Sequence, residues 1–181
     1  MIFFLTLITG IIYPVLVTGV SGIFFHDQAG GSLVRKNGVI LGSELIGQQF
    51  DSVKYFHSRP SAVNYQPYPS GASNLSWSDK RLKETVALRK ETFLKENFLN
   101  DSTVIPTEML FASASGIDPH ISHRAALLQV ERITRSRNFT EAQKQKLFSL
   151  INKLTEKPQY SLFGEERINV FLLNLELDKI Q

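Results

Sequence analysis

Hydrophobic and polar positions divide the chain sharply near its start. Met1 to Phe25 carries no charged side chain, and charge-bearing groups begin at His26 and Asp27. A helix rises about 1.5 Å per residue, so roughly 20 apolar residues cross a hydrocarbon core. The stretch is long enough, and it is apolar all round, which predicts a lipid-facing anchor over residues 1–25. A secretory signal would need a basic n-region, a shorter apolar core and a small-x-small cleavage site, and none of these is evident. Pro14 and the glycines at 10 and 19 predict a kinked helix that packs against others, because lipid leaves a helix few alternatives and neighbours can satisfy the carbonyl that Pro14 frees. Small residues at Gly10, Thr18, Gly19, Ser21 and Gly22 allow close helix approach, so Gly19 and Gly22 are candidate contacts with a membrane partner.

Past the anchor the pattern changes period several times. Leu33 to Lys36 and Val39 to Leu41 flank Asn37-Gly38, a dipeptide suited to the positive φ angles of a type I′ turn, which predicts a β-hairpin. Asp51 to His57 reads as another short strand. Residues 59–78 are dense in Pro, Ser, Gly, Asn and Tyr and predict a long loop, ordered by Tyr65, Tyr68 and Trp77. Ser78 is placed to cap a helix to Phe98, with Leu82, Val86, Phe93 and Leu94 inward and Asp79/Lys83 and Glu91/Lys95 as outer pairs. Pro106 is placed to open a short helix. Ser122 caps a helix to Arg137 striped by Ala126, Val130 and Ile133, and Thr140 with Gln143 forms a capping box for a helix whose Leu147, Leu150, Ile151 and Leu154 share a face. Arg167 to Asp178 alternates Phe171, Leu173, Leu175 and Leu177 with Asn174, Glu176 and Asp178, the period of a half-buried strand. Strands first, helices in the middle and a strand last predict an α+β (mixed α/β) domain over residues 26–181, preceded by one transmembrane helix.

Composition narrows the function classes. The 181 residues carry a net charge of +3, and basic and acidic side chains alternate through the helices instead of forming a block, which argues against nucleic acid. The chain has no cysteine, so disulfides, iron–sulfur clusters and thiol chemistry are excluded. No P-loop, G-x-G-x-x-G, H-E-x-x-H or G-x-S-x-G motif occurs, so no catalytic residue is nominated. His26, His57, His120 and His123 lack a metal-ligand spacing, and no metal site is expected. Arg35 and Lys36 follow the anchor and no basic residue precedes it, a two-residue charge signal that favours a cytoplasmic domain.

Two stretches are dense in polar and turn-forming residues: Tyr55 to Ser61 with Ser70 to Leu75, and Ser113 to Ser122. In Gly116-Ile117-Asp118-Pro119-His120 the proline restricts Asp118 and the glycine permits positive φ, so the carboxylate is held in a stiff turn. It serves a binding surface, or it caps its own turn or pairs with Arg59. Ser73 and Asn74 are likewise either exposed contacts or satisfiers of their own loop.

YFHSRPSA (Tyr55 to Ala62), SGASNL (Ser70 to Leu75), SASGIDPHIS (Ser113 to Ser122), QVERI (Gln129 to Ile133) and GEERINVFLLNLELD (Gly164 to Asp178) together closely resemble the C subunit of the Kdp potassium-transporting ATPase. The order and spacing match from the anchor to nearly the last residue. The pattern departs at Ser76 and Trp77, where the family usually has Gly-Pro, and at His123 and Arg124, where it usually has Pro-Glu. The resemblance implies a non-catalytic accessory subunit of a high-affinity potassium uptake complex in the cell (inner) membrane. Its partners would be a potassium-selective channel-like subunit, an ATP-hydrolysing subunit and a small membrane subunit. It also implies a domain outside the cytoplasm, against the charge signal. The family is described as a catalytic chaperone that raises the pump's ATP affinity through a glutamine. Gln129 is the matching candidate for nucleotide contact, although an outward-facing domain sits badly with cytoplasmic ATP. No cofactor of its own is expected, and ATP would act through the complex. Arg59, Ser73, Asn74, Asp118, His120, Gly19 and Gly22 are the candidate subunit-interface residues. The alternative is a membrane-anchored extracytoplasmic ligand-binding domain or enzyme acting alone.

Overall fold

The computed structural model describes residues 1–180, and the chain divides into two compact units, Met1–Leu45 and the remainder from Ile46. Among the described residues it is a mixture of helices and two small two-stranded sheets.

In the first unit Ile2–Phe24 forms one continuous apolar helix of 23 residues, long and apolar enough to cross a membrane. It comprises α1 (Ile2–Leu7), a π-helical turn (Ile8–Ile12) and α2 (Tyr13–Phe24). The wide turn lies immediately before Pro14, whose ring crowds the carbonyl four residues back and which has no N–H to give it; widening the helix is a local answer to both. After α3 (His26–Ala29) comes the hairpin, β1 (Leu33–Lys36) paired antiparallel with β2 (Val39–Ser43). Asn37 and Gly38 have φ of 53° and 81°, the two positive angles that a type I′ turn requires. The second strand runs two residues beyond the predicted Leu41, and the Ser43 hydroxyl donates to the Gly31 carbonyl at 2.7 Å.

The second unit is built on four helices: α4 (Lys80–Glu96), α5 (His123–Ser136), α6 (Glu141–Leu154) and α7 (Val170–Leu177). The α5 stripe of Ala126, Val130 and Ile133 is buried against Leu147 and Ile151 of α6 and Val170, Leu173 and Leu177 of α7, with Phe93 and Leu94 of α4, Phe56 and Met109 completing the core. Each of the Val, Leu, Ile, Phe and Met side chains among them contributes on the order of 1.5–3 kcal/mol by leaving water. Ser122 caps α5, and Thr140 and Gln143 make the predicted capping box on α6. A 3-10 turn (Thr107–Met109) follows Pro106. A two-residue ladder, β3 (His120–Ile121) against β4 (Ile168–Asn169), ties the loop before α5 to the segment before α7.

Three local expectations are corrected. Helix α4 is capped by Asp79 rather than Ser78; the Asp79 carboxylate accepts from the Arg81 N–H at 2.8 Å and also pairs with the Arg81 side chain, so it is not free for Lys83. Residues 51–57 form turns and irregular chain without a strand partner. Most of Arg167 to Asp178 is helix α7 rather than a strand. Its buried set, Val170, Phe171, Leu173, Asn174 and Leu177, follows helical spacing, and the Asn169 side chain starts the helix by accepting from the Leu172 N–H.

Candidate functional site

The segment after the expected strand is held by side chains instead of a neighbouring strand. The Asn174 amide of α7 pairs with both backbone groups of Phe56: Nδ2 donates to its carbonyl at 2.9 Å and Oδ1 accepts from its N–H at 2.8 Å. One residue on, the Gln129 amide of α5 does the same to His57, with Oε1 accepting from its N–H at 2.7 Å and Nε2 donating to its carbonyl at 3.3 Å. Two carboxamides thus reproduce the ladder bonds that a strand would have supplied, which is how a buried non-helical backbone meets its hydrogen-bonding requirement.

Arg132, three residues along α5 and 2% exposed, completes the clamp. Its guanidinium donates to the carbonyls of Val53 and Tyr55 at 2.8 and 2.9 Å, to Oδ1 of Asn97 at 3.0 Å and to Oε1 of Gln129 at 2.7 Å. It also lies 3.1 Å from Nε2 of His57. The same Nε2 stands 3.2 Å from the Ser52 carbonyl oxygen, and the other ring nitrogen, Nδ1, faces Glu96 at 3.7 Å. Burial, with Arg132 alongside, lowers the His57 pKa to about 4. Burial likewise brings Arg132 down to about 10. Arg137 closes the end of the strap, donating to the Lys54 carbonyl and to Asp178 at 2.8 Å each and lying over the Tyr55 ring.

The strap delivers Arg59 to the second polar cluster. Arg59 Nη1 donates to Asp118 Oδ2 at 2.7 Å, while Asp118 Oδ1 accepts from the His120 N–H at 3.0 Å. Asp118 therefore both caps its own turn and pairs with Arg59. Burial alone would raise its pKa, but the His120 and Arg59 hydrogen bonds outweigh it and lower the value to about 2. The three loops are tied together by backbone bonds, Ser113 N–H to the Pro60 carbonyl and Gly71 N–H to the Ser115 carbonyl, at 3.1 Å each. Two glycines permit the approach. A Cβ on Gly116, whose φ is +73°, would meet Val63 at 2.4 Å, and one on Gly47 would meet the Asp118 carbonyl oxygen at 2.6 Å.

Arg59, Asp118 and His120 thus come together, and Ser73 and Asn74 are exposed on the 70–75 loop, which Gly71 ties to Ser115. Gly19 and Gly22 lie in the other unit, on the apolar helix, with open space where a Cβ would stand. Gln129 is 0% exposed and every polar atom of its side chain bonds within the chain. Sequence reasoning missed Arg132 and Asn174. The available signal was a polar residue placed inside an apolar stripe: Arg132 between Val130 and Ile133, and Asn174 between Leu173 and Leu177.

A family model described as KdpC, K+-transporting ATPase, c chain, matches residues 1–179. The chain is 46% identical over 174 residues to the potassium-transporting ATPase KdpC subunit of Leptospira interrogans, covering 96% of this chain and 87% of the relative. It is 41% identical over 182 residues to the KdpC subunit of Mycobacterium tuberculosis, covering 99% and 95%, and 42% identical over 188 residues to that of Rhodopseudomonas palustris, covering 96% and 90%. The chain belongs to the KdpC family.

Proposed function

We propose that this member of the KdpC family is a non-catalytic accessory subunit of an ATP-driven potassium uptake complex. In this reading residues 1–25 anchor it in the cell membrane and residues 26–181 act outside the cytoplasm. Its partners are a potassium-selective channel-like subunit, an ATP-hydrolysing subunit and a small membrane subunit. The observation that carries the reading is the near-complete match to KdpC subunits, which runs from the apolar helix through α7.

The geometry fits assembly better than chemistry or nucleotide contact. Loop residues of the shared motifs are spent on holding one rigid surface around Arg59 and Asp118, and the Gln129 amide is occupied by His57 and Arg132. A rise in the pump's ATP affinity would then follow from stabilising the assembly, with no cofactor held by this chain.

Expressed with the other subunits of its own complex, the tagged chain should copurify with them and be required for potassium-stimulated ATP hydrolysis. A chain recovered alone, with the remaining subunits fully active without it, would overturn the reading. For orientation, a reporter active only outside the cytoplasm and fused after Gln181 should be active, and silence from a well-expressed fusion would place the domain on the other side.

A further inference from the structure

Beside the Arg59–Asp118 pair runs an open groove of about 940 Å³. One wall is the surface of residues 107–122; the other is a hairpin-like arm over 156–167, held by paired backbone bonds between Glu156 and Arg167 and between Gln159 and Phe163. Two large aromatic rings face solvent along it. Trp77 is 80% exposed, its ring tilted against that of Phe111 at 5.6 Å between ring centres, and Phe163 is 65% exposed. At the tip of the arm Tyr160 and Ser161 hold positive φ angles, which turn Tyr160 and Leu162 outward.

Charge selects the occupant. Two of the groove's carboxylates are neutralised within the chain, Asp118 by Arg59 at 2.7 Å and Glu156 by Arg167 at 2.9 Å. Glu108, Glu165 and Glu166 remain against Lys157 alone, so the groove is acidic on a protein whose net charge is +3. Exposed rings beside surplus carboxylates suit a guanidinium or ammonium group, which is attracted to the face of an aromatic ring and hydrogen-bonds to carboxylate. An anionic lipid headgroup would meet repulsion there.

We propose that this groove receives a basic, extended segment of a neighbouring subunit, an arginine or lysine of that segment seating against Trp77 and Phe163 with Glu165 and Glu166 as its counter-charges. The proposal rests on the subunit reading above and adds to it the face used and the chemistry of the partner.

Since the chain has no cysteine, Leu162→Cys introduces a single thiol at the tip of the arm. Labelled with a short photoactivated crosslinker in the assembled complex, it should capture a peptide of another subunit that contains arginine or lysine. Adducts only to lipid, only to a second copy of this chain, or none, would overturn the proposal. In parallel, Trp77→Ala and the double variant Glu165→Gln, Glu166→Gln should weaken association by roughly tenfold or more, the scale of removing one anchor of an interface, with an unchanged melting temperature. If the unaltered chain assembles and these variants assemble equally well, the groove proposal falls while the subunit reading stands. If the unaltered chain itself does not assemble, the subunit reading falls and takes the groove with it.

Discussion

Gln129 and His57 exchange two hydrogen bonds through one side-chain amide, across 72 residues of chain, and the same amide oxygen accepts from Arg132. This makes Gln129 the point where α5, the strap over 53–59 and a buried cation meet.

Gln129→Leu keeps roughly the same bulk but leaves the His57 N–H and one Arg132 N–H without partners. Each orphaned buried donor costs about 1–3 kcal/mol, so a loss of roughly 3 kcal/mol is expected. Thermal unfolding of the full chain in detergent should show a midpoint lower by roughly 6–12 °C. A variant that melts like the parent would show the clamp to be dispensable, and altered nucleotide response at unchanged stability would return Gln129 to a ligand-binding role.

His57 gives the clamp a pH dependence. Its pKa falls from the ordinary 6.5 to about 4 in the fold because burial, with Arg132 beside it, disfavours the imidazolium. The unfolded chain therefore binds the proton more readily, and the stability present above pH 6.5 is lost as pH falls from there toward 4. Denaturant midpoints measured across that window should decline with acid, and an NMR titration of the His57 ring should centre near pH 4. A midpoint near 6.5 would contradict the buried, Arg132-bonded ring.

Asp118 acts in a lower window. Its pKa is depressed from 3.8 to about 2, so its contribution is present above about pH 4 and disappears as the carboxylate protonates toward 2. Asp118→Asn removes the charge that Arg59 pairs with, and should lower stability at neutral pH while flattening the acid slope between about 4 and 2. Because the pair is internal, Arg59→Ala should show the same loss, and the double variant should cost less than the sum of the two. Strict additivity would mean that the 2.7 Å contact contributes little.

The apolar helix offers a separate test. Gly19 and Gly22 have nothing within 4 Å of where a Cβ would stand, so Gly19→Leu with Gly22→Leu leaves the helix itself unstrained. If these positions pack against another membrane helix, the two leucines should reduce recovery of the complex while leaving helix content by circular dichroism unchanged. Unchanged recovery would reduce the helix to a tether.

Legibility tracked how local the deciding interaction was. The α5 and α6 caps and the hairpin turn were readable because Ser122, Thr140 with Gln143, and Asn37-Gly38 act on backbone within a few residues. The shift of the α4 cap by one residue is a local competition that Asp79 wins by holding both the N–H and the side chain of Arg81. The three polar loops were readable as unusual, but not as joined, since the bonds joining them run between residues about 45 to 60 apart.

Two segments show what only the fold decides. The sequence of residues 51–57 predicts a strand, and the backbone bonds that a strand would have made are made instead by Asn174, Gln129 and Arg132. Residues 170–177 alternate like a strand only if Asn174 and Glu176 face water; Asn174 is buried, its amide paired with Phe56, and with it inside the spacing becomes helical. The sequence by itself determined the apolar helix, the hairpin turn, the caps of α5 and α6 and the family, each legible from neighbouring residues, composition or local motifs. The tertiary structure decided which polar side chains go inside, because a buried amide or guanidinium is tolerated only where distant backbone completes its hydrogen bonds.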